Sequence, residues 1–301
     1  MRWVALPPTA LEISTMNRLR KYLPALLVGG PFLVVMLVFL IWPTLSVVGH
    51  AFVRDGHISL FNMQRAITGT YRQSFLMSIK LSFVTSLIGG LIGTAMAILV
   101  RQSPVNSRAR TFLDAWSAVA SQLGGLPLAF AFVALIGTQG LLTRVMKAFG
   151  IDLIGHGLSL TNFVGWVFVY LYFQIPFMFL IMTPAISSLK ESWFESARSL
   201  GASNLRIWRS VGVPILLPSL LTGFVLLFVN AFSAYATVYA LSSGAGSLVP
   251  LQIRFILQGN VITGEEDLGY SLVTWTLILL VLSLIAVTML QRRVSRWTES
   301  S

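Results

Sequence analysis

The sequence predicts an all-α, polytopic membrane protein with six transmembrane helices. Three observations carry that expectation. Of 301 residues, 55% are hydrophobic and 10% are charged, against about 25% charged in a soluble globular protein. A chain this apolar cannot cover itself with polar surface, so the bilayer is its solvent. Six stretches reach the ~20 apolar residues that a spanning helix needs. Finally, Lys and Arg are shared unevenly between alternate connections, the usual mark of membrane topology.

The spans are expected over Leu23–Val48, Phe75–Val100, Ala115–Ile136, Asn162–Ile186, Ile215–Ala240 and Tyr270–Leu290. Each must be helical, because backbone groups in lipid need internal partners. With the N-terminus inside, the outer connections hold only Arg54, Arg65, Arg72, Arg144, Lys147 and Arg254 of the 21 Lys and Arg. Apart from Lys80, which is left in a span, the others fall on the inner side, so both termini are expected to be cytoplasmic. The organisation is then a cytoplasmic segment over 1–22, a six-helix domain over 23–291 with a cytoplasmic loop at 190–214, and a cytoplasmic tail over 292–301. Residues 1–10 are short for a signal peptide and carry Pro7-Pro8. Met16-Asn-Arg-Leu-Arg-Lys, a basic run before an apolar one, is a more natural start.

The net charge of +11 is scattered among loops, which reads as topological charge, and no nucleic-acid partner is expected. With no cysteine, a disulfide framework, a Cys-based zinc site and a thiol nucleophile are excluded. His50, His57 and His156 show no paired ligand spacing, so no metal or other cofactor is expected.

The spans have internal texture. The second carries Ser74, Ser78, Ser82, Gly89, Gly90 and Gly93, small residues that let helices approach closely. The third holds Gly124-Gly125-Leu126-Pro127, a break signal. The fourth holds Pro176 and Pro184, which kink or break a helix. Irregular backbone at membrane depth survives only against protein or a water-filled cavity; a pathway and improved packing are both open readings.

The loop between spans four and five is the most informative segment. Over 191–200 its pattern is helical, with Trp193, Ala197, Leu200 and Gly201 on one face and Glu195, Arg198 and Ser199 on the other. Gly201 allows a turn that other residues resist. A second short helix is expected over 204–211, stopped by Pro214. The product is a small helix-turn-helix with a narrow apolar ridge, the spacing a helix needs to lie in a partner's groove.

These residues resemble a known family. Permease subunits of binding-protein-dependent ABC importers carry a cytoplasmic loop of pattern Glu-Ala-Ala, three residues, Gly, nine residues, Ile-x-Leu-Pro. This chain has Glu195-Ser196-Ala197, three residues, Gly201, nine residues, then Val211-Gly212-Val213-Pro214. The resemblance implies a MetI-like type I ABC importer permease fold. It implies docking of the loop into separate ABC ATPase subunits through Trp193, Glu195, Ala197, Arg198, Leu200, Gly201, Ala202 and Pro214. It further implies a second permease subunit, identical or homologous, an extracytoplasmic substrate-binding protein, and a bacterial plasma (inner) membrane location. The chain has no Gly-x-x-x-x-Gly-Lys-Ser/Thr phosphate loop, so ATP hydrolysis is expected in another subunit and no catalytic residue here.

Polar groups inside spans are costly and often functional. Gln122, Gln174, Asn230, Ser233 and Tyr235 are the pathway candidates, with Asn162, Tyr172, Thr237 and Tyr239 near them; interhelical hydrogen bonding is the alternative for each. Lys80 reads as snorkelling to the outer interface, and Glu265-Glu266-Asp267 as a helix start. A self-contained secondary transporter or channel is the alternative function, although internal repeats and paired midplane charges are not apparent. Tyr172-Phe-Gln-Ile-Pro-Phe177 resembles the polyamine (spermidine/putrescine) branch, which implies a small organic cation. Iron(III), thiamine, molybdate, sulfate and aminoethylphosphonate are the alternatives.

Overall fold

The computed structural model describes residues 29–54, 56–101, 107–152, 154–155, 159–242, 247–258 and 265–299, with side chains through Arg292. The N-terminal segment, the choice between Met1 and Met16, and His156 lie outside the described residues.

Six helical runs are long and apolar enough to cross a membrane. The first, α1 (Gly29–Ala51), buries none of its apolar window and leaves Phe32, Phe39 and Trp42 largely exposed. A short hairpin, β1 (Val53–Arg54) with β2 (His57–Ile58), and α2 (Phe61–Arg65) lead to α3 (Gly69–Arg101). After α4 (Arg108–Gln122), α5 (Gly125–Ile136) and α6 (Leu141–Ala148) together form the third candidate span, Gly125–Ala148. The fourth is α7 (Phe163–Ser187). The loop helix α8 (Glu191–Ser199) precedes α9 (Asn204–Ser233), and α10 (Tyr235–Leu241) and α11 (Val249–Leu257) follow before the last span, α12 (Glu266–Glu299).

The core forms where α3, α7 and α9 meet. The inward stripe of α3 is Ser74, Ser78, Ser82, Thr85, Ser86, Gly89, Gly90 and Gly93, all buried. A Cβ on Gly93 would stand 2.5 Å from the Ile175 carbonyl oxygen and 2.7 Å from Met178 Cβ, so α3 and α7 touch nearly backbone to backbone. Against that stripe α7 buries Tyr170, Phe173, Phe179 and Met182. The small residues do what the sequence predicts for them.

Three expectations need correction. The third span is not Ala115–Ile136. The chain breaks at Leu123 and Gly124, and residues 115–122 belong to α4, which lies along α7. Gly125 at φ +71° supplies the left-handed backbone that the break needs. The fourth span is not broken: Pro176 and Pro184 sit inside one continuous helix. Nor does Pro214 stop a helix. The ladder passes through a π-turn at Trp208–Gly212, and the N–H of Val213 reaches back to the Trp208 carbonyl. Pro43 shows the same device: the π-turn Leu37–Ile41 precedes it, and Trp42 donates to the Leu37 carbonyl. Proline has no N–H to donate, and slipping the ladder by one residue lets the helix continue.

The acidic start of α12 also has a further role. Glu266 and Asp267 occupy its first turn, but Glu265 is paired with Arg65 of α2 at 2.7 Å. Trp275 Nε1 donates to the Met63 carbonyl at 2.9 Å, so α2 is held to α12 at two points. Lys80 Nζ lies 4.9 Å above the Phe163 ring, at the start of α7.

Candidate functional site

Two places gather the residues singled out by the sequence. One is the loop between α7 and α9; the other is a cavity where the chain break before α5 meets the break after α9.

The loop is a pair of short helical segments closed by one left-handed residue. Gly201 has φ +79°. Its N–H bonds to the Arg198 carbonyl at 2.8 Å, and the N–H of Ala202 bonds to the Ala197 carbonyl at 3.1 Å. This is a Schellman closure, which satisfies carbonyls that a helix end otherwise leaves open. Ala197 and Ala202, the two residues such a closure brings together, both pack on the same apolar cluster. Ser203 then caps α9, its side chain accepting from the Arg206 N–H. A Cβ on Gly201 would meet nothing within 4 Å, so backbone conformation, not space, selects glycine there.

Phe194 anchors the loop, a residue the sequence reading passed over in favour of Trp193. Phe194 is buried and meets Trp208 edge-on at 5.5 Å, within a cluster that includes Ile207, Leu216 and Met182. Arg101, at the end of α3, reaches over the Phe194 ring, donates to the Leu189 carbonyl at 3.0 Å and pairs with Glu191 at 3.2 Å. Arg198 also turns to Glu191, at 3.8 Å, rather than to Glu195. Residues 101 and 191 are far apart in the chain, so no local pattern could have announced this pairing. The exposed apolar side chains here are Trp193, Leu200 and Leu205, with Leu200 88% exposed, whereas Ala197, expected on the face of Trp193 and Leu200, packs on the apolar cluster instead. The Glu195 carboxylate is also exposed and has no ion-pair partner among the described residues. Pro214 sits half-buried in the first turn after the π-turn.

At the other end of α9, a cavity of about 430 Å³ is lined by Gln122, Gly124, Gly125, Phe173, Asn230, Ser233, Tyr235 and Thr237, among others. Four of the five expected pathway residues therefore share one space. Gln122, Asn230 and Ser233 present exposed side chains there. Phe173 lies ten residues into the 25-residue α7, about 15 Å along its axis, so the cavity reaches the middle of that helix.

The fifth candidate, Gln174, does not line it. It is fully buried and donates from Nε2 to Thr85 Oγ1 of α3 at 3.0 Å, against Gly89. It clasps two helices. Asn162 likewise has a structural task, capping α7 by accepting from the Gly165 N–H at 2.9 Å.

The two breaks that open the cavity complete each other. Thr237, the first turn beyond the α9 break, accepts from the Gly125 N–H at 2.9 Å, and Tyr170 donates its hydroxyl to the carbonyl of Ala234, at the break itself, at 2.7 Å. Backbone groups freed within the membrane are thereby satisfied by protein, as they must be. Beyond Tyr235, its ring stacks on Tyr239 with centroids 5.5 Å apart. Arg254 of α11 lies 3.9 Å over the Tyr239 ring and donates to the Tyr235 hydroxyl.

Six candidate spans, two chain breaks joined to each other and an exposed loop make up a polytopic helical membrane fold. The same fold is seen in a chain of a bacterial ABC transporter that imports the acidic polysaccharide alginate, with TM-score 0.74 and 15% identity, covering 93% of this chain and 99% of that one. Residues 89–299 match the family model described as binding-protein-dependent transport system inner membrane component, and the chain belongs to that family. A probable sulfate transport system permease protein of Chlorella vulgaris is 27% identical over 175 residues, 56% of this chain and 61% of the relative's length. The spermidine/putrescine transport system permease protein PotB of Haemophilus influenzae is 25% identical over 237 residues, 76% of this chain and 79% of the relative.

Proposed function

We propose that this chain is the permease subunit of an ABC importer. It forms half of a translocation pathway across the bacterial inner membrane, with both termini cytoplasmic. A second permease subunit completes the pathway, separate ABC ATPase subunits dock from the cytoplasm, and an extracytoplasmic binding protein delivers the solute. The observation that carries the reading is the loop: the exposed apolar side chains of Trp193, Leu200 and Leu205 together with Glu195, held rigidly from behind by Phe194 and Arg101.

The route from loop to cavity is one helix. From Asn204 to Ser233, α9 runs for 30 residues, about 45 Å, and ends at the break that lines the cavity. Movement of the docked loop is carried along α9 to that break as a rigid-body displacement. ATP hydrolysis belongs to the docked subunit, and this chain converts its motion into opening and closing of the cavity.

The solute is less constrained by kinship. The relatives named above carry solutes of opposite charge, a polyamine and sulfate. The polyamine-like cation expected from Tyr172–Phe177 lacks a counter-charge in the cavity, where no carboxylate lines the wall among the described residues.

Co-expression of the chain with candidate ABC ATPase subunits from the same source tests the docking role. Glu195→Arg and Gly201→Asp are expected to insert normally, to lose the co-purifying ATPase and to abolish uptake. Unchanged uptake and unchanged ATPase association in both variants would refute it. A thiol introduced at Ser203 that reacts with an impermeant reagent in intact cells would also end the reading.

A further inference from the structure

Arg254 is placed without being neutralised. Its guanidinium lies 3.9 Å over Tyr239 and 5.3 Å over Tyr235, donates to the Tyr235 hydroxyl, and donates from Nε to Gln258 Oε1 at 2.7 Å. Every one of those partners is neutral. Three other arginines of the fold are held by carboxylates: Arg65 by Glu265, and Arg101 and Arg198 by Glu191, whereas Lys80 and Lys190 rest over Phe163 and Trp193. Among the described residues no carboxylate stands within salt-bridge distance of Arg254. A half-buried cation oriented by two aromatic faces keeps its charge and its remaining donors for something else.

Tyr235 has one side on Arg254 and the other on the cavity. The guanidinium is thus one side chain removed from the space lined by Gln122, Asn230 and Ser233. Those groups are neutral donors and acceptors, suited to the oxygens of a solute, and none is an acid. A fixed charge at this distance biases the potential of the cavity, favouring anions and opposing cations.

We propose that, within the permease role argued above, Arg254 selects charge for the pathway and the cavity takes an anionic solute, such as an oxyanion or a small phosphate-bearing molecule. Tyr235 and Tyr239 position the guanidinium, and Gln122, Asn230 and Ser233 receive the solute's oxygens.

The test is uptake of labelled sulfate, inorganic phosphate, sn-glycerol 3-phosphate, spermidine and maltose by cells expressing this chain with candidate partner subunits from the same source. We expect an anion to enter and spermidine to be refused. Arg254→Gln should lower anion uptake on the order of tenfold, and Arg254→Lys should keep most of it. Entry of spermidine or maltose, entry of none of the anions, or equal losses from Arg254→Lys and Arg254→Gln would overturn the proposal. Co-purification of the ATPase with wild type and variants separates the two levels. Its presence alongside spermidine uptake sinks charge selection alone, whereas its absence from wild type sinks the permease reading.

Discussion

Thr237 Oγ1 accepts a hydrogen bond from the Gly125 backbone N–H at 2.9 Å. The two residues are 112 positions apart, and each lies just past a break in the chain. One hydroxyl therefore joins two interruptions that would be costly alone. Thr237→Val should leave a part-buried N–H without its protein partner, at about 0.5–1.5 kcal/mol. We expect a lower melting temperature and reduced uptake, with Thr237→Ser close to wild type; thermal unfolding in detergent checks both.

The loop closure depends on a left-handed residue. Gly201→Val should strain it by about 1–2 kcal/mol, while Gly201→Asn, which tolerates that conformation, should do less harm. Because the Cβ position is open, the ranking follows conformation and not size. ATPase retained on the purified permease is the measurement, and equal retention in both variants would contradict the ranking.

Phe194 and Trp193 are neighbours with opposite tasks. Phe194→Ala removes a buried ring and should cost about 3–5 kcal/mol, visible as a fall in thermal stability. Trp193 is 39% exposed, so Trp193→Ala should leave stability nearly unchanged and weaken ATPase association. Paired melting and pull-down experiments on the two variants distinguish anchor from docking surface.

The contact of α3 with α7 discriminates between adjacent glycines. Gly93→Leu must push into the backbone of Ile175 and should prevent folding or separate the helices. Gly90 has nothing within 4 Å of its Cβ position, so Gly90→Ala should be neutral or stabilising by up to about 1 kcal/mol. Expression level and melting temperature of the two proteins read this directly.

Much of this was legible beforehand. Gly124-Gly125 marked a break because glycine permits backbone that other residues resist, and the spacing from Glu195 to Pro214 marked the loop. The missed features share a cause. Pro176 and Pro184 suggested a kinked or broken helix, and the helix, packed tightly on α3 and α4, is not broken. Gln174 looked like a pathway residue because a polar group in a span is conspicuous, yet polarity does not say whether it meets a cavity or Thr85. Phe194 and Trp193 are equally apolar, and helical spacing alone could not choose which one turned inward.

The amino-acid sequence by itself determined that the chain lives in a bilayer, that it crosses about six times, and that the backbone would break at Gly124-Gly125 and turn at Gly201. These are local properties, set by apolar length and by the φ that glycine allows. The tertiary structure decided which polar groups become walls of a cavity and which become clasps. It also set Arg101 and Arg198 against Glu191 and left Arg254 with two tyrosines. Those outcomes depend on partners distant in the chain, and a hydrogen bond or ion pair exists only once folding has brought both of its atoms together.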